Sequence, residues 1–435
     1  MKIAIVGTGI AGLSAAWMLH KAHDITIFEK NNYAGGHSNT VSGANHADVD
    51  TGFIVYNTAT YPNLIALFEH LNVKTEPTDM SFSVSVNNGA YEYSGEALFA
   101  QTSNYFRLEH YRMIMDIIRF YKTAPRVLNE PASTLSLGEY LSVRKYSKSF
   151  ISKHILPMAA AIWSTSASDV QHYPLASFVR FFQNHGLFLF KDRPGWRTVS
   201  GGSRQYVEKL TEGFKDKIKL DTPVNSILRK ENKVQVNDMD FDHVILSCHS
   251  DQSLAVIKDP SDEEKRTLSA FPYSSNIAFL HKDERFMPLR KSCWASWNYL
   301  AADKNGNDEQ NAVCVTYWMN RLQPFLPEEE NLFVTLNPMD KPQNILKEIK
   351  YEHPMFTQSA LDGWDSINSI QGKNRTWFCG AWCGYGFHED GLTSGLAVAE
   401  KIGGVKRPWN VRDISPAGRH IDPDTDPHKI TNCDA

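Results

Sequence analysis

The chain has 435 residues, with 45 Lys and Arg against 49 Asp and Glu for a formal net charge of −4. That length exceeds the size at which one core keeps growing, so two domains are expected; the scatter of both charge signs excludes a nucleic-acid surface and a polybasic membrane anchor. The first strand begins at Lys2, leaving no room for a cleavable leader, and no apolar run has transmembrane length, so a cytoplasmic protein is expected. Six cysteines (Cys248, Cys293, Cys314, Cys379, Cys383, Cys433) lack metal-finger spacing, which points to reduced thiols and no metal site.

In chain order, an apolar strand from Lys2 runs into Gly7-Thr8-Gly9-Ile10-Ala11-Gly12, a glycine turn that opens a helix. This is a dinucleotide fingerprint: Gly7 permits the tight turn, Gly9 the approach of a pyrophosphate, and Gly12 close helix–strand packing. A helix over 13–21 and a strand over 24–28 follow. The strand ends at Glu29, whose carboxylate can accept hydrogen bonds from ribose hydroxyls. After Gly35-Gly36 a short strand is expected over 47–55. The segment 105–128 carries Phe106, Met113, Ile114, Ile117, Ile118 and Tyr121 at helical spacing and predicts an amphipathic helix, with further helices over 137–144, 150–162 and 175–184. Gly201-Gly202-Ser203 opens a helix over 204–211, and strands are predicted over 219–224, 226–229, 233–236 and 243–247. Beyond about 255 the chain is strand-rich and aromatic, with Trp294, Trp297, Tyr317 and Trp318 prominent. A last strand over 376–379 leads to a final helix over 392–402, and the tail beyond Pro408 reads as a loosely packed extension.

These pieces interleave. A nucleotide-binding domain is expected from 1–80, 195–255 and 370–405, a second domain from 81–194 and 256–369, and an extension from 406–435. Such crossings place a ligand cleft between the domains.

Four segments appear in a familiar order: the fingerprint through Glu29; Gly35-Gly36-His37 with Val49-Asp50-Thr51-Gly52-Phe53; Thr222-Pro223-Val224-Asn225-Ser226-Ile227; and Trp377 through Glu400. With these, about residues 1–405 resemble the flavin-containing amine oxidoreductase family, which includes monoamine oxidase and phytoene desaturase-like proteins. Within it the resemblance is to a branch described as predicted NAD/FAD-binding proteins. The resemblance implies an α/β fold, a Rossmann-like FAD-binding domain of the GR2 type with an interleaved α+β substrate domain. It also implies non-covalent FAD, held by Gly7, Gly9, Ile10, Ala11, Gly12, Glu29, Lys30, Gly35, Gly36, His37, Val224, Gly380, Gly391 and Leu392. Physically, Gly35 and Gly36 can form an anion-binding nest beside the first helix, and the amides of Gly391 and Leu392, at the start of the last helix, can face the flavin's pyrimidine edge. Three positions depart from the family pattern. His37 replaces an arginine, Gly380-Ala381-Trp382 stands where an acid is usual, and Asn276 falls where amine oxidases place a lysine.

A flavin supplies the difficult chemistry while the protein positions the substrate and excludes water. The resemblance therefore implies an FAD-dependent oxidase or dehydrogenase that desaturates a C–C bond or oxidises a C–N bond. His388 and Glu389 are candidate catalytic groups; in the alternative, Asp390 caps the final helix and its neighbours face solvent. Asn276, Trp294, Tyr317 and Trp318 are candidate pocket residues, and their character favours an apolar, lipid-like substrate. A single dinucleotide fingerprint points to oxygen, a quinone or another carrier as electron acceptor. The 105–128 helix leaves open a peripheral membrane contact. Two other readings stay open: an FAD-dependent isomerase without net redox change, and a non-catalytic dinucleotide-binding protein.

Overall fold

Inner strands of a parallel sheet are covered on both faces, so they read as unbroken apolar runs; Ile3 to Val6 and Val244 to Leu246 are such runs. The structure, a computed structural model, describes residues 1–42, 47–129, 135–301, 314–412 and 415–421. Five parallel strands lie in the order Ile218–Lys219, Asp24–Phe28, Lys2–Val6, His243–Leu246, Thr376–Phe378. The register sets Val6 opposite both Phe28 and Leu246, so the carboxyl ends align where the first glycine turn leaves the sheet. Helix α1 (Ile10–Leu19) starts there.

A second, seven-stranded sheet runs in the order Ile345–Pro354, Tyr273–His281, Phe333–Leu336, Cys314–Trp318, Trp297–Ala301, Phe82–Val86, Tyr91–Ser94. It is antiparallel except where Trp297–Ala301 meets Phe82–Val86. Along the chain the strands alternate between the two sheets, so each sheet is assembled from distant segments. The fold is α/β, with a Rossmann-like dinucleotide sheet beside a mixed one.

Helices bridge the sheets. Helix α2 (Pro62–His70) precedes a helical lobe that includes α3 (Leu108–Thr123) and α4 (Leu175–Asn184). In α3 the buried side is Met113, Ile117, Phe120 and Tyr121. Phe106 and Ile118, expected on that side, are exposed, because the helix begins only at Leu108 and Ile118 falls on its outer face. Helix α5 (Arg204–Thr211) follows its glycine pair as predicted, and the last long helix, α6 (His388–Gly403), begins four residues before the expected Leu392. Helices α1 and α6 pack at backbone distance: a Cβ on Gly395 would lie 2.1 Å from the Ala11 carbonyl, and one on Gly12 2.1 Å from that of Gly7. Any side chain there would push α1 off its partners.

Two expectations fail at chain ends and turns. The strand predicted over 219–224 stops at Lys219, because Asp221 adopts a φ of 50° and Pro223 has no N–H to donate; the amides of Asp221 and Thr222 bond instead to the carbonyls of Asn31 and Glu29. The tail, expected to be loose, packs back through its described part. Trp409 stacks on Trp17, Arg407 pairs with Glu400, and the Ser415 hydroxyl donates to Asp390 at 2.6 Å. Cys433 lies outside the described residues. Among the described residues, no helix is long and apolar enough to cross a membrane and no cluster of three metal-binding side chains occurs.

Candidate active site

Between the sheets lies a cavity of about 1640 Å³, larger than the ~300–1,000 Å³ usual for one small ligand and of a size for an extended cofactor plus a substrate. Its wall includes Gly7, Gly9, Ile10 and Ala11 at one end and Gly380, His388 and Gly391 farther along.

The first end is made of backbone. The opening amides of α1 have no partner within the helix and point at the cavity's edge, while Gly35 and Gly36, at φ 127° and 59°, bring a second turn alongside; a Cβ on Gly36 would sit 3.0 Å from the Gly9 Cα. Glu29 is held in place: one carboxylate oxygen accepts from the Thr8 amide at 3.0 Å and hydroxyl at 2.6 Å, the other from the Asn31 amide at 2.8 Å. A carboxylate has about four acceptor sites, so capacity for a ribose remains. Lys30 and Val224 also line this end, whereas Gly12 and Gly35 shape the backbone behind it.

His37 cannot stand in for the arginine's charge. Burial, with His249 nearby, pushes its pKa down to about 4, so the ring is neutral; its Nε2 is buried without a partner, and it stacks on Tyr351 at 5.0 Å. It gives the wall a neutral polar group where the family pattern has an arginine.

At the far end the early start of α6 reassigns several residues. The Gly391 amide donates to the Phe387 carbonyl at 3.1 Å, and Leu392 is fully buried inside the helix. The amides that helix geometry leaves without an intrahelical acceptor are therefore those of 388–390, and the expectation for the Gly391 and Leu392 amides is corrected; the Gly391 backbone still lines the cavity. Asp390 caps this turn by accepting from the Phe387 amide at 3.0 Å. Glu389, a candidate catalytic group, turns away from the cavity. Its buried carboxylate accepts from the Asn63 amide at 2.8 Å, the Asn63 side chain at 3.0 Å and the Leu64 amide at 2.9 Å, neutralising the N-terminus of α2.

His388 lies on the wall as expected. Its ring stacks on Phe53 at 3.8 Å, and Nε2 bonds to the Tyr206 hydroxyl at 2.7 Å and lies 3.3 Å from the Ser38 hydroxyl, which itself bonds to Tyr206. Tyr206 is carried by α5. The turn before that helix is fixed by buried Asp50, which accepts from the Ser203 amide and hydroxyl and from Thr40. Burial, with His37 alongside, holds the His388 pKa down at about 3. His353 is likewise pushed to about 3, by burial and by His37 and His249, and its Nδ1 lies 3.0 Å from the Asn276 amide.

Asn276 is therefore not a wall residue; it is buried, bonded to Asn337 and Ser274, and orients His353. Of the aromatic candidates, Tyr317 lines the cavity edge-on to Trp297 at 5.1 Å. Trp318, one residue on, must face the opposite side of its strand, and it packs with Trp294, Met287 and Phe333 in a separate cluster off the cavity. The wall is completed by Phe387, inside the last matched segment, and by residues that no motif marked: Tyr61, Trp163, Phe181 and Tyr351.

A model of the family "Flavin containing amine oxidoreductase" matches residues 10–324. The chain belongs to that family. It is an FAD-dependent oxidoreductase, and the size of the cavity, the paired glycine turns and the anchored Glu29 fit an extended FAD. Among solved structures it resembles the CLA-producing fatty acid isomerase from P. acnes (TM-score 0.66, 15% identity, 92% of this chain and 98% of that one). It also resembles cyclohexylamine oxidase from Brevibacterium oxydans (TM-score 0.64, 13% identity, 92% and 99%). At those identities the likeness establishes the fold. A curated relative, 4,4'-diapophytoene desaturase from Staphylococcus aureus (strain Newman), is 52% identical over 40 residues; the match spans 9% of this chain and only 8% of the desaturase.

Proposed function

We propose that this enzyme removes two electrons and two hydrogens from an uncharged, largely apolar substrate, desaturating a C–C bond. The observation that carries this reading is the composition of the substrate end: Trp163, Phe181, Trp297, Tyr317 and Phe387, interspersed with uncharged polar groups such as Ser164, Ser275 and the neutral histidines. The carboxylates among the described wall residues are Glu29, at the dinucleotide end, and Glu208, Glu348 and Glu352; the last two share their strand with Lys347 and Lys350. A protonated amine would leave water for a wall of rings, which is costly without a paired anion. An alkyl or polyene chain loses nothing there. The short desaturase match supports the same direction, and Asn276 in place of a lysine argues against amine oxidation.

FAD, when bound, would take up the hydride equivalent together with the accompanying proton, so that both electrons and both hydrogens of the substrate are accounted for. The amides of Gly9, Ile10, Ala11 and Gly36 would hold its pyrophosphate, Glu29 its ribose, and the Val224 backbone its adenine. The rings exclude water and orient the chain. With a pKa near 3, His388 is a poor proton acceptor at neutral pH, so its role is that of a polar anchor held by Tyr206 and Phe53. Reoxidation would require oxygen, a quinone or another carrier as acceptor.

The test is anaerobic mixing of the purified yellow protein with polyenes, unsaturated fatty acids and amines. Lasting bleaching by the apolar compounds alone is expected. Bleaching only by amines overturns the substrate class, product without lasting bleaching replaces oxidation by isomerisation, and a colourless protein that FAD cannot reconstitute overturns the whole reading. As a check on the anchor, Tyr206→Phe is expected to raise KM about tenfold, the cost of one hydrogen bond near 1.4 kcal/mol, with kcat nearly unchanged.

A further inference from the structure

Helix α3 is apolar on two sides. Its inner side is core, but Leu108, Tyr111, Met115 and Ile118 form an outer stripe at helical spacing, 79%, 41%, 60% and 39% exposed, and Phe106 just before it is 89% exposed. Large apolar groups gathered on one face mark an interaction surface; single exposed ones do not. The lobe that carries this stripe has an excess of cations, although Glu109 and Asp116 on α3 pair with Lys153 and Arg119. Residues 102–194 carry twelve Lys and Arg against six Asp and Glu, a net +6 in a chain of −4. The overall balance of the chain therefore hides a basic stretch in the part that carries this helix.

Two neighbouring segments extend the face. The Val143-Arg144-Lys145 corner meets α3 where Arg119 donates to the Lys145 carbonyl, and Val143 is exposed. The loop bearing exposed Leu189 and Phe190 meets α3 through Phe190 and Tyr121, 5.2 Å apart. Leu187, two residues before Leu189, is part of the cavity wall. The exposed surface and the interior wall are thus consecutive stretches of one loop.

We propose that this face docks on an anionic lipid bilayer, with the α3 stripe in the acyl boundary and the cations on the headgroups, and that apolar substrate passes from the bilayer into the cavity beside Leu187. A 16-residue helix with an apolar stripe and flanking cations lies in the interface without spanning it. The excess of cations favours anionic lipid over an apolar protein partner. The loading step rests on the apolar-substrate reading; the docking face stands on the surface itself.

The experiment is co-sedimentation of the full chain, loaded with FAD, with vesicles of phosphatidylcholine and of phosphatidylcholine containing about one-third phosphatidylglycerol, at low and high salt. Binding to the anionic vesicles is expected, weakened by salt. Replacing Phe106, Leu108 and Met115 together by serine should lower partitioning by about tenfold or more. Reversing Arg144, Lys145 and Lys148 to glutamate should remove the preference for anionic lipid, about fivefold per cation. Wild-type protein that stays in the supernatant with every vesicle, variants that bind as wild type does, or a dimer that uses this face in place of lipid would each overturn the docking face. Bleaching by detergent-dispersed substrate should be unchanged in both variants. If it is absent in the wild type while vesicle binding persists, the substrate reading and the loading step fall and the docking face remains.

Discussion

At its dinucleotide end the cavity is walled by main chain, and at its substrate end by rings. The first end is built from residues 7–12 and 29–36, two turns within thirty residues of each other, whose amides act as a fixed positive potential. The second draws on Ser38, Phe53, Trp163, Phe181, Tyr317, His353 and His388, brought together only by the crossing of two sheets, with Tyr206 bonding His388 from behind the wall. A cofactor common to a family can be held by backbone that any side chain nearby leaves intact. A substrate particular to one enzyme has to be met by side chains, and those come from wherever the fold supplies them.

Acid should perturb the cavity most strongly, because five buried neutral histidines lie along its wall, His353 and His388 among them at the substrate end. His37, His185 and His249 are pushed down to about 4, and His353 and His388 to about 3, from an ordinary value of 6.5. Each ring stays unprotonated in the folded state while the unfolded chain takes up a proton, so the stability they give is fully present above pH 6.5. It is lost as pH falls toward 4 and below. Even after allowance for the water that reaches the less covered rings, the five together contribute on the order of several kcal/mol. Urea midpoints measured between pH 7.5 and 4 should fall accordingly, and substrate binding should fail before flavin is released. A flat profile would show that these rings are solvated.

A smaller effect separates structure from catalysis at the N-terminus of α6. Glu389→Ala leaves the amides of Asn63 and Leu64 buried without an acceptor, and a loss of about 3 kcal/mol in stability is expected. Turnover per bound flavin should be unchanged at a temperature where the variant is folded. If turnover collapses while the unfolding midpoint holds, Glu389 belongs to the chemistry after all.

The difference between the ends also accounts for what could be read from residue order. The glycine turns, Glu29 and α5 were legible because each is a local backbone requirement with its own spacing. The start of α6 was misplaced by four residues because Gly391 read as a boundary, whereas the boundary is set by Asp390 bonding back to the Phe387 amide. Glu389 read as a site residue because its partner, the N-terminus of α2, lies more than three hundred positions away in sequence. Tyr206 and His353 had no local signal, since their importance comes from what they touch. The second apolar face of α3 was visible as residues but not as exposure, which depends on what the rest of the lobe leaves uncovered.

The finest test of the substrate end uses two neighbours on one strand. Tyr317 and Trp318 alternate across the sheet, so only Tyr317 meets the cavity, while Trp318 packs with Trp294 and bonds through its indole N–H to Asn331 at 3.1 Å. Tyr317→Leu should alter affinity for apolar substrates a few-fold, roughly 1 kcal/mol of ring contact, at little cost in stability. Trp318→Leu should do the reverse, lowering the unfolding midpoint with KM unchanged. An equal change in KM from both would mean that the strand presents neither face cleanly to the ligand and that the wall is formed by movement of the sheet when substrate enters.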